Sequence, residues 1–163
     1  MQLLKSTSFR TQRGLTLVEL MVTLAVLAIL VTVGVPQFQS VIQGNRAISS
    51  ANELLGTLQL ARSESVKRGR DVLICPSSDQ DTCTGNTDWS VGWIVVDTTD
   101  PSEPIRASGV LPNQVQITAA VAAVNFNAVG ATPDATAFTV TAGATTRNLC
   151  VEASGRSEVG ACQ

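Results

Sequence analysis

Glu19 is the residue of this chain whose chemistry most needs an explanation. It stands at the mouth of an apolar stretch, and the run from Leu20 to Val35 carries no charge. An ionised carboxylate at the centre of a bilayer costs roughly 3 kcal/mol on insertion scales, and such residues usually mark function rather than anchoring. Glu19 therefore needs a partner, and the sequence predicts that this partner is a cation.

Four cysteines form the second group of reactive side chains: Cys75, Cys83, Cys150 and Cys162. An even number in an exported domain predicts two disulfides, for which three pairings are possible. We favour Cys75 with Cys83 and Cys150 with Cys162, because each pair is close in sequence and flanks a loop with turn residues. A zinc site is the alternative, which the absence of His and the spacing of the cysteines disfavour.

Catalytic side chains are hard to find in this composition. The chain has no His and no Tyr, so the commonest general base and the commonest catalytic phenol are missing. Lys67 could serve Ser–Lys chemistry, but it is better explained by the end of a helix. Asp79, Asp81 and Asp88 fall in one loop and admit a weak calcium site, although their spacing is not that of an EF-hand and a solvated loop is favoured. We expect neither an enzyme nor a cofactor.

The apolar stretch that follows Gly14 is long enough to cross a membrane. Leu15 to Val35 is 21 residues, which at about 1.5 Å per residue crosses a hydrocarbon core of about 30 Å. The basic residues before it, Lys5, Arg10 and Arg13, keep the N-terminus cytoplasmic, so the chain after Pro36 faces the periplasm or exterior. A secretory signal peptide is the alternative, but an Ala-x-Ala exit is lacking. A second alternative is an ordinary signal anchor, in which Glu19 merely lies at the level of the lipid headgroups.

Beyond Pro36 the apolar residues recur at steps of three and four, which predicts an amphipathic helix. The residues of this face are Phe38, Val41, Ile42, Ile48, Ala51, Leu54, Leu55, Leu58, Ala61 and Ser65. The helix is predicted to continue to Lys67 or Arg68, with Gly69 as its C-cap. One helix over residues 15–68 is therefore expected, transmembrane in its first part.

Residues 69–163 are expected to form one globular head, in which short β-prone runs alternate with Gly, Pro, Asn and Asp clusters. The predicted strands are Val72 to Cys75, Trp89 to Asp97, Ile105 to Val110, Val115 to Thr118, Val124 to Phe126, Ala137 to Thr141 and Asn148 to Ala153. Trp89 and Trp93, four apart on a strand, would share a face and pack against the helix. The fold class is α+β, with a long helix on a mostly antiparallel sheet.

The residues from Gly14 to Glu19 resemble the class III signal of type IV prepilins. That signal is a basic leader, a Gly, a hydrophobic residue, Thr, Leu, a variable residue and Glu; Leu15 stands where Phe is commoner. The resemblance implies that residues 1–14 are a leader, which a prepilin peptidase cuts after Gly14 before methylating the amine of Leu15. Glu19 would neutralise this amine on a neighbouring subunit during assembly. The resemblance also implies an assembly role for Pro36, because pilin-like proteins carry a Pro at that position, where it often marks a kink or a locally melted turn in the assembled filament.

Motifs of the head resemble the GspH/FimT group of minor pilins and pseudopilins. They are Ala61-Arg62-Ser63-Glu64, Val72-Leu73-Ile74-Cys75-Pro76, Trp89-Ser90-Val91-Gly92-Trp93-Ile94-Val95 and Gly155-Arg156, in this order. The resemblance implies a non-enzymatic subunit that primes or caps assembly of a type IV pilus or a type II secretion pseudopilus. Its partners would be other major and minor pilins or pseudopilins, first in the inner membrane and then in the filament.

DNA uptake is the alternative function that the resemblance raises. Some members of the group bind DNA through a Gly-Arg-x-Arg element near the C-terminus, which here is Gly155, Arg156, Ser157 and Glu158. An acid replaces the second Arg, so only a local patch, such as Arg147 with Arg156, could contact DNA. Without the three leader cations, eight basic residues remain against 13 acidic ones, and this balance repels phosphate.

Overall fold

The computed structural model describes residues 14–162, apart from the side chains of Val33 and Pro36. The predicted leader, with its basic residues Lys5, Arg10 and Arg13, lies outside the described residues except for Gly14. The helix α1 covers Leu17–Arg68, and eight strands follow it: β1 Val72–Pro76, β2 Trp93–Asp97, β3 Arg106–Ala107, β4 Val115–Ala119, β5 Val124–Phe126, β6 Thr136–Ala142, β7 Thr145–Val151 and β8 Ser157–Val159. The chain divides into two compact units, one ending at Phe38 and one beginning at Gln39.

Both ends of α1 are closed by local hydrogen bonds. The helix begins at Leu17 rather than at the predicted Leu15, because Thr16 is its N-cap: Oγ1 of Thr16 accepts the backbone N–H of Glu19 at 3.2 Å. At the other end the N–H of Arg70 donates to the carbonyl of Ser65, and the N–H of Gly69 donates to that of Val66. These two bonds form a Schellman motif around Gly69, whose φ is +62°.

The helix face that enters the core of the head is shorter than predicted. Its buried residues are Ala47, Ser50, Ala51, Leu54, Thr57, Leu58, Ala61 and Ser65. Phe38, Val41, Ile42 and Ile48 were predicted on the same face, but all four are exposed, Phe38 to 73%. The prediction failed there because apolar periodicity marks a face that needs cover without saying which molecule covers it.

The head contains two antiparallel sheets of four strands. Their strand orders are β3-β2-β1-β5 and β4-β6-β7-β8. Both sheets contribute side chains to the same buried cluster as the helix, including Ile74, Val95, Phe126, Phe138 and Leu149. The α+β class is therefore confirmed, although the strands form two sheets rather than the one that was predicted.

Some strand boundaries differ from the sequence prediction. β7 begins at Thr145 and pairs with β6 through a two-residue turn at Gly143, whose φ is +58°. Its first three residues lie outside the predicted strand, which began at Asn148, and none of the three is buried. β8 was not predicted, since three residues that are at most partly buried give no hydropathy signal. β3 has two residues where six were predicted.

The two sheets are joined at the segment that contains Trp89. Trp89 was predicted in a strand, but it lies in a 3-10 turn, Trp89–Val91, that precedes β2. Its indole N–H donates to the carbonyl of Val121, and its ring meets the edge of Phe138 at a centroid distance of 4.9 Å. The hydroxyl of Ser90 accepts the N–H of Ile117 in β4 at 2.9 Å. Trp89 and Trp93 are both fully buried, so each belongs to the core.

Asp97, the last residue of β2, lies close to two basic side chains from the end of the helix. Its Oδ1 accepts the side-chain hydroxyl and the backbone N–H of Thr99. Its Oδ2 lies 3.7 Å from Arg68 Nη1 and 3.8 Å from Arg70 Nη1. The Thr99 hydrogen bonds, and then the two guanidinium groups, lower the pKa of Asp97 below its ordinary value. The carboxylate therefore joins the end of the helix to β2.

Two disulfides join the cysteines that the sequence analysis pairs, Cys75 with Cys83 and Cys150 with Cys162. The first closes the loop after β1, and the second ties the C-terminal segment to β7. In each pair one residue is buried in its strand while the other is exposed. Both bonds therefore fasten an exposed segment to the core.

Removing the second disulfide should destabilise the head. Cys150→Ala with Cys162→Ala is expected to lower the free energy of unfolding by about 2 to 4 kcal/mol, because the denatured chain loses a closed loop. Urea denaturation of residues 39–163, followed by the fluorescence of the buried Trp89 and Trp93, measures it. The reduced parent head is the control and should lose at least as much. Recovery of a peptide joining Cys75 to Cys150 by non-reducing mapping would contradict the layout.

Candidate functional site

The N-terminal unit presents one carboxylate on an otherwise apolar helix. Within its described part Glu19 is the sole charged residue, and its backbone N–H is the donor that the Thr16 cap satisfies. Thr16 and Glu19 thus have the Thr-x-x-Glu spacing of a capping box, in which the acid lies in the first turn near the positive end of the helix dipole. The sequence analysis gave Thr16 no role, although this spacing before an apolar run is itself a helix-start signal.

The side chains around Glu19 are apolar and exposed. The most apolar 18-residue window of α1 has a mean hydropathy of 2.5, and none of it is buried within the chain. The exposed residues include Leu17, Val18, Leu20, Met21, Leu24, Leu27, Ile29 and Leu30. Such a segment needs cover from lipid or from other protein. The backbone remains helical through Gly34 and Pro36, and the side chain of Pro36 lies outside the described residues.

In the head, Arg62 brings together two sequence motifs that are almost a hundred residues apart. Its Nε donates to the carbonyl of Gly130 at 3.0 Å, and its Nη2 donates to the carbonyl of Ser154 at 3.1 Å. The guanidinium therefore holds two turns against the helix, the turn before β6 and the turn between β7 and β8. Sequence analysis noted Arg62 only as part of a family motif, and it missed this clamp because nothing local links the three segments.

Gly130 and Gly155 make this close packing possible. Gly155 has φ +77°, and a Cβ there would overlap the carbonyl oxygen of Gly130. Gly130 also has φ +77°, and a Cβ there would come within 2.9 Å of Val66 Cγ2 on the helix. Both positions therefore require glycine, for the left-handed backbone and for the close approach.

Beside this junction lies a groove of about 610 Å³ between the helix and the turn that precedes β8, which we call the Arg62 groove. It is lined by Gln59, Arg62, Val66, Lys67, Arg156 and Ser157, among others. Lys67 and Arg68 both contact the carboxylate of Glu64, and their hydrogen bonds, that of Arg68 first, lower its pKa. Three basic side chains, Arg62, Lys67 and Arg156, therefore line one groove of a chain whose net charge is negative.

The two arginines named as a candidate DNA patch differ in position. Arg156 lies in the turn before β8 and lines the groove, where its Nη2 pairs with Glu158 Oε2 at 2.6 Å. Arg147 is exposed on β7, opposite Val140 of β6, and does not line the groove. The acid that stands where the DNA-binding motif has its second Arg therefore neutralises the first one.

The carboxylates of the Cys75–Cys83 loop and of the residues that follow it accept hydrogen bonds from neighbouring backbone and hydroxyl groups. Asp79 accepts the hydroxyl of Ser77, the N–H of Asp81, and both the N–H and the hydroxyl of Thr82. Those bonds, the ones from Thr82 first, hold the pKa of Asp79 far below its ordinary range. Asp88 caps the 3-10 turn through the N–H of Ser90. Over residues 14–162 there is no group of three metal-ligating side chains placed around one point.

Comparison with known proteins agrees with these features. The family model for type II transport protein GspH matches residues 50–155, which covers about the last third of the helix and most of the head. The chain belongs to this family. The model of the prokaryotic N-terminal methylation motif matches residues 9–35, around Gly14 and Glu19. The resemblance that the sequence motifs indicated is confirmed.

Two solved structures share the fold. The type IV minor pilin FimU of Pseudomonas aeruginosa is 24% identical and superimposes with a TM-score of 0.60, over 72% of this chain and 90% of that one. The minor pseudopilin EpsH from the type 2 secretion system of Vibrio cholerae is 11% identical, with a TM-score of 0.51 over 71% and 97%. At these identities the likeness concerns the fold, which is that of pilins and pseudopilins.

Gly155→Ala tests the junction that Arg62 holds. The added methyl group meets the Gly130 carbonyl as well as an unfavourable φ, so we expect a loss of about 3 kcal/mol or more in the free energy of unfolding of residues 39–163. Gly69→Ala is the matched control, since φ is also positive there but no atom lies within 4 Å of the new methyl group. It should cost about 1 to 2 kcal/mol. Equal losses in urea denaturation would show that the two turns can separate without cost.

Proposed function

We propose that this protein is a minor pilin or pseudopilin that primes or caps the assembly of a type IV pilus or a type II secretion pseudopilus. Membership of the GspH family and the fold of pilins and pseudopilins support the class. The observation that carries the assembly role is Glu19, the one carboxylate among residues 14–38 as described, on the exposed apolar part of the helix. The protein is a structural subunit that performs no reaction of its own.

Before assembly, residues 15–35 span the inner membrane once and the head lies in the periplasm. The basic leader residues hold the N-terminus on the cytoplasmic side. The two disulfides suit an oxidising compartment such as the periplasm. The exposed apolar side chains from Leu17 to Val35 then contact lipid in the membrane and the helices of neighbouring subunits in the filament.

Glu19 guides entry into the filament. Prepilin peptidase cuts after Gly14 and methylates the new amine of Leu15, which remains positive. Inside an apolar helix bundle this amine and a carboxylate are each costly alone, and pairing them across two subunits removes both unpaired charges. The Thr16 cap supports this geometry because it starts the helix two residues after the cleavage site and places Glu19 in its first turn.

No contact among the described residues of the head favours DNA capture. Arg156 is paired with Glu158, and Arg147 lies on β7 outside the Arg62 groove. A chain with an excess of acidic residues repels phosphate except at a concentrated basic patch. The scaffold role is therefore the proposed one.

Blocking the leader tests the processing step. In cells with the peptidase, mature protein should begin at a methylated Leu15, whereas Gly14→Val should leave the full-length chain in the membrane. Gly34→Val is the control, because it makes the same change farther along the same apolar segment, away from the cleavage site. Intact-mass spectrometry and N-terminal sequencing measure the outcome. A mature chain that begins after Val35 would contradict the assignment.

Neutralising Glu19 tests the assembly step. Glu19→Gln should insert into the membrane as well as the parent, yet its incorporation into filaments should fall at least tenfold, because a neighbour's amine then has no carboxylate partner. Glu53→Gln is the matched control, since it changes the same residue type on an exposed part of the same helix in the head. Immunoblots of sheared filaments and of membranes measure both quantities. Normal incorporation of Glu19→Gln would show that the carboxylate has no role in filament assembly.

A further inference from the structure

The Arg62 groove contains a positive charge that forms no ion pair with the residues that the structure describes. Lys67 pairs with Glu64 and Arg156 pairs with Glu158, whereas Arg62 donates to two backbone carbonyls. Carbonyl oxygens accept hydrogen bonds but carry no formal charge. Among residues 14–162, no carboxylate forms an ion pair with Arg62. A half-buried guanidinium is thus left with its charge uncompensated at the wall of a groove.

The surroundings of Arg62 are suited to a protein partner. Val66, which lines the groove, is 54% exposed, and Val129, in the turn packed beside it, is 78% exposed. Exposed valines next to a guanidinium favour a ligand that has both an apolar and an acidic part. The hydroxyl of Ser157, a residue of the groove lining, is buried and has no hydrogen-bond partner in the described part of the chain.

We infer that the Arg62 groove is a docking site for the head of a different pilin-family subunit, which inserts an Asp or Glu side chain beside an apolar residue. The inference rests on the proposed filament function and adds a contact between heads to the one made by the N-terminal helices. Charge complementarity favours an acidic occupant, because Arg62 lines the wall without an ion pair among residues 14–162 and none of the lining residues is acidic. A guanidinium also binds a carboxylate through two parallel hydrogen bonds, which fixes the orientation of the incoming side chain.

Arg62 cannot be replaced in a clean test, because it also holds the turns at Gly130 and Ser154. Gln59 offers a better variant. It is exposed, lines the groove, and lies three residues before Arg62 on the helix, so Gln59→Glu places a carboxylate where it can pair with Arg62. The new carboxylate takes the place proposed for the partner's acidic side chain, and Arg62 itself is retained to bond the carbonyls of Gly130 and Ser154. Gln116→Glu makes the same change at an exposed position of β4 outside the groove and is the matched control.

The experiment uses the full chain in its own host, with the photoreactive residue p-benzoyl-phenylalanine in place of Ser63 at the groove. Illumination of assembled filaments should give an adduct in which mass spectrometry identifies another pilin-family subunit. Gln59→Glu should lower the adduct yield at least fivefold, and Gln116→Glu should leave it unchanged. Changing the cross-linked partner's acidic residue to its amide should lower the yield to the same extent as Gln59→Glu.

Several results would overturn the inference. They are an adduct that Gln59→Glu does not weaken, an adduct with a second copy of this chain, and the absence of any adduct in a chain that is incorporated normally; in each case the filament function would stand. A chain that never enters filaments, with or without the photoreactive residue, would instead contradict the proposed function. Binding of a 20-base-pair DNA duplex to the mature chain, lost in Gln59→Glu but not in Gln116→Glu, would identify the groove as a nucleic-acid site.

Discussion

The head depends on the burial of one strip of small and medium side chains along the second half of the helix. Ala47, Ala51, Leu54, Leu58 and Ala61 recur at steps of four and three, and each is at most 2% exposed. Their short side chains let both sheets approach the helix, so one strip closes a core that the two sheets share. The other constraints, the Schellman end at Gly69 and the Asp97 contacts with the helix terminus, fix where this strip ends.

Glu19 and Arg62 are two of the charges on the helix that form no ion pair in the described chain, and they differ in sign. Glu19 is a carboxylate on an apolar segment, and Arg62 is a guanidinium at the wall of a groove. Other ionic groups of the head, such as Glu64, Asp97 and Arg156, have partners nearby. An unbalanced charge is costly in apolar or partly buried surroundings. On our proposals both are kept because neighbouring subunits supply the opposite charge during assembly.

Much of the fold could be predicted from local patterns. The period of apolar residues and Gly69 located the end of the helix, and turn residues located most of the strands. Predictions failed where a residue's environment depends on distant parts of the chain. Phe38 and Ala51 were both predicted on the apolar face of the helix, but Phe38 is exposed and Ala51 is buried. Trp89 looked like a strand residue, yet its segment makes a 3-10 turn because Asp88 and Ser90 bond to turn and β4 backbone groups.

The sequence by itself determined the N-terminal chemistry of this protein. The spacing from Gly14 to Glu19 and the length of the apolar segment are local properties, which the chain carries whatever the head does. The tertiary structure alone decided the Arg62 groove. Arg62, Gly130 and Ser154 are far apart in sequence, and only the packing of two turns against the helix brings the guanidinium to both carbonyls. Which charges remain unbalanced follows from that packing, because charge compensation depends on distance in space rather than on order along the chain.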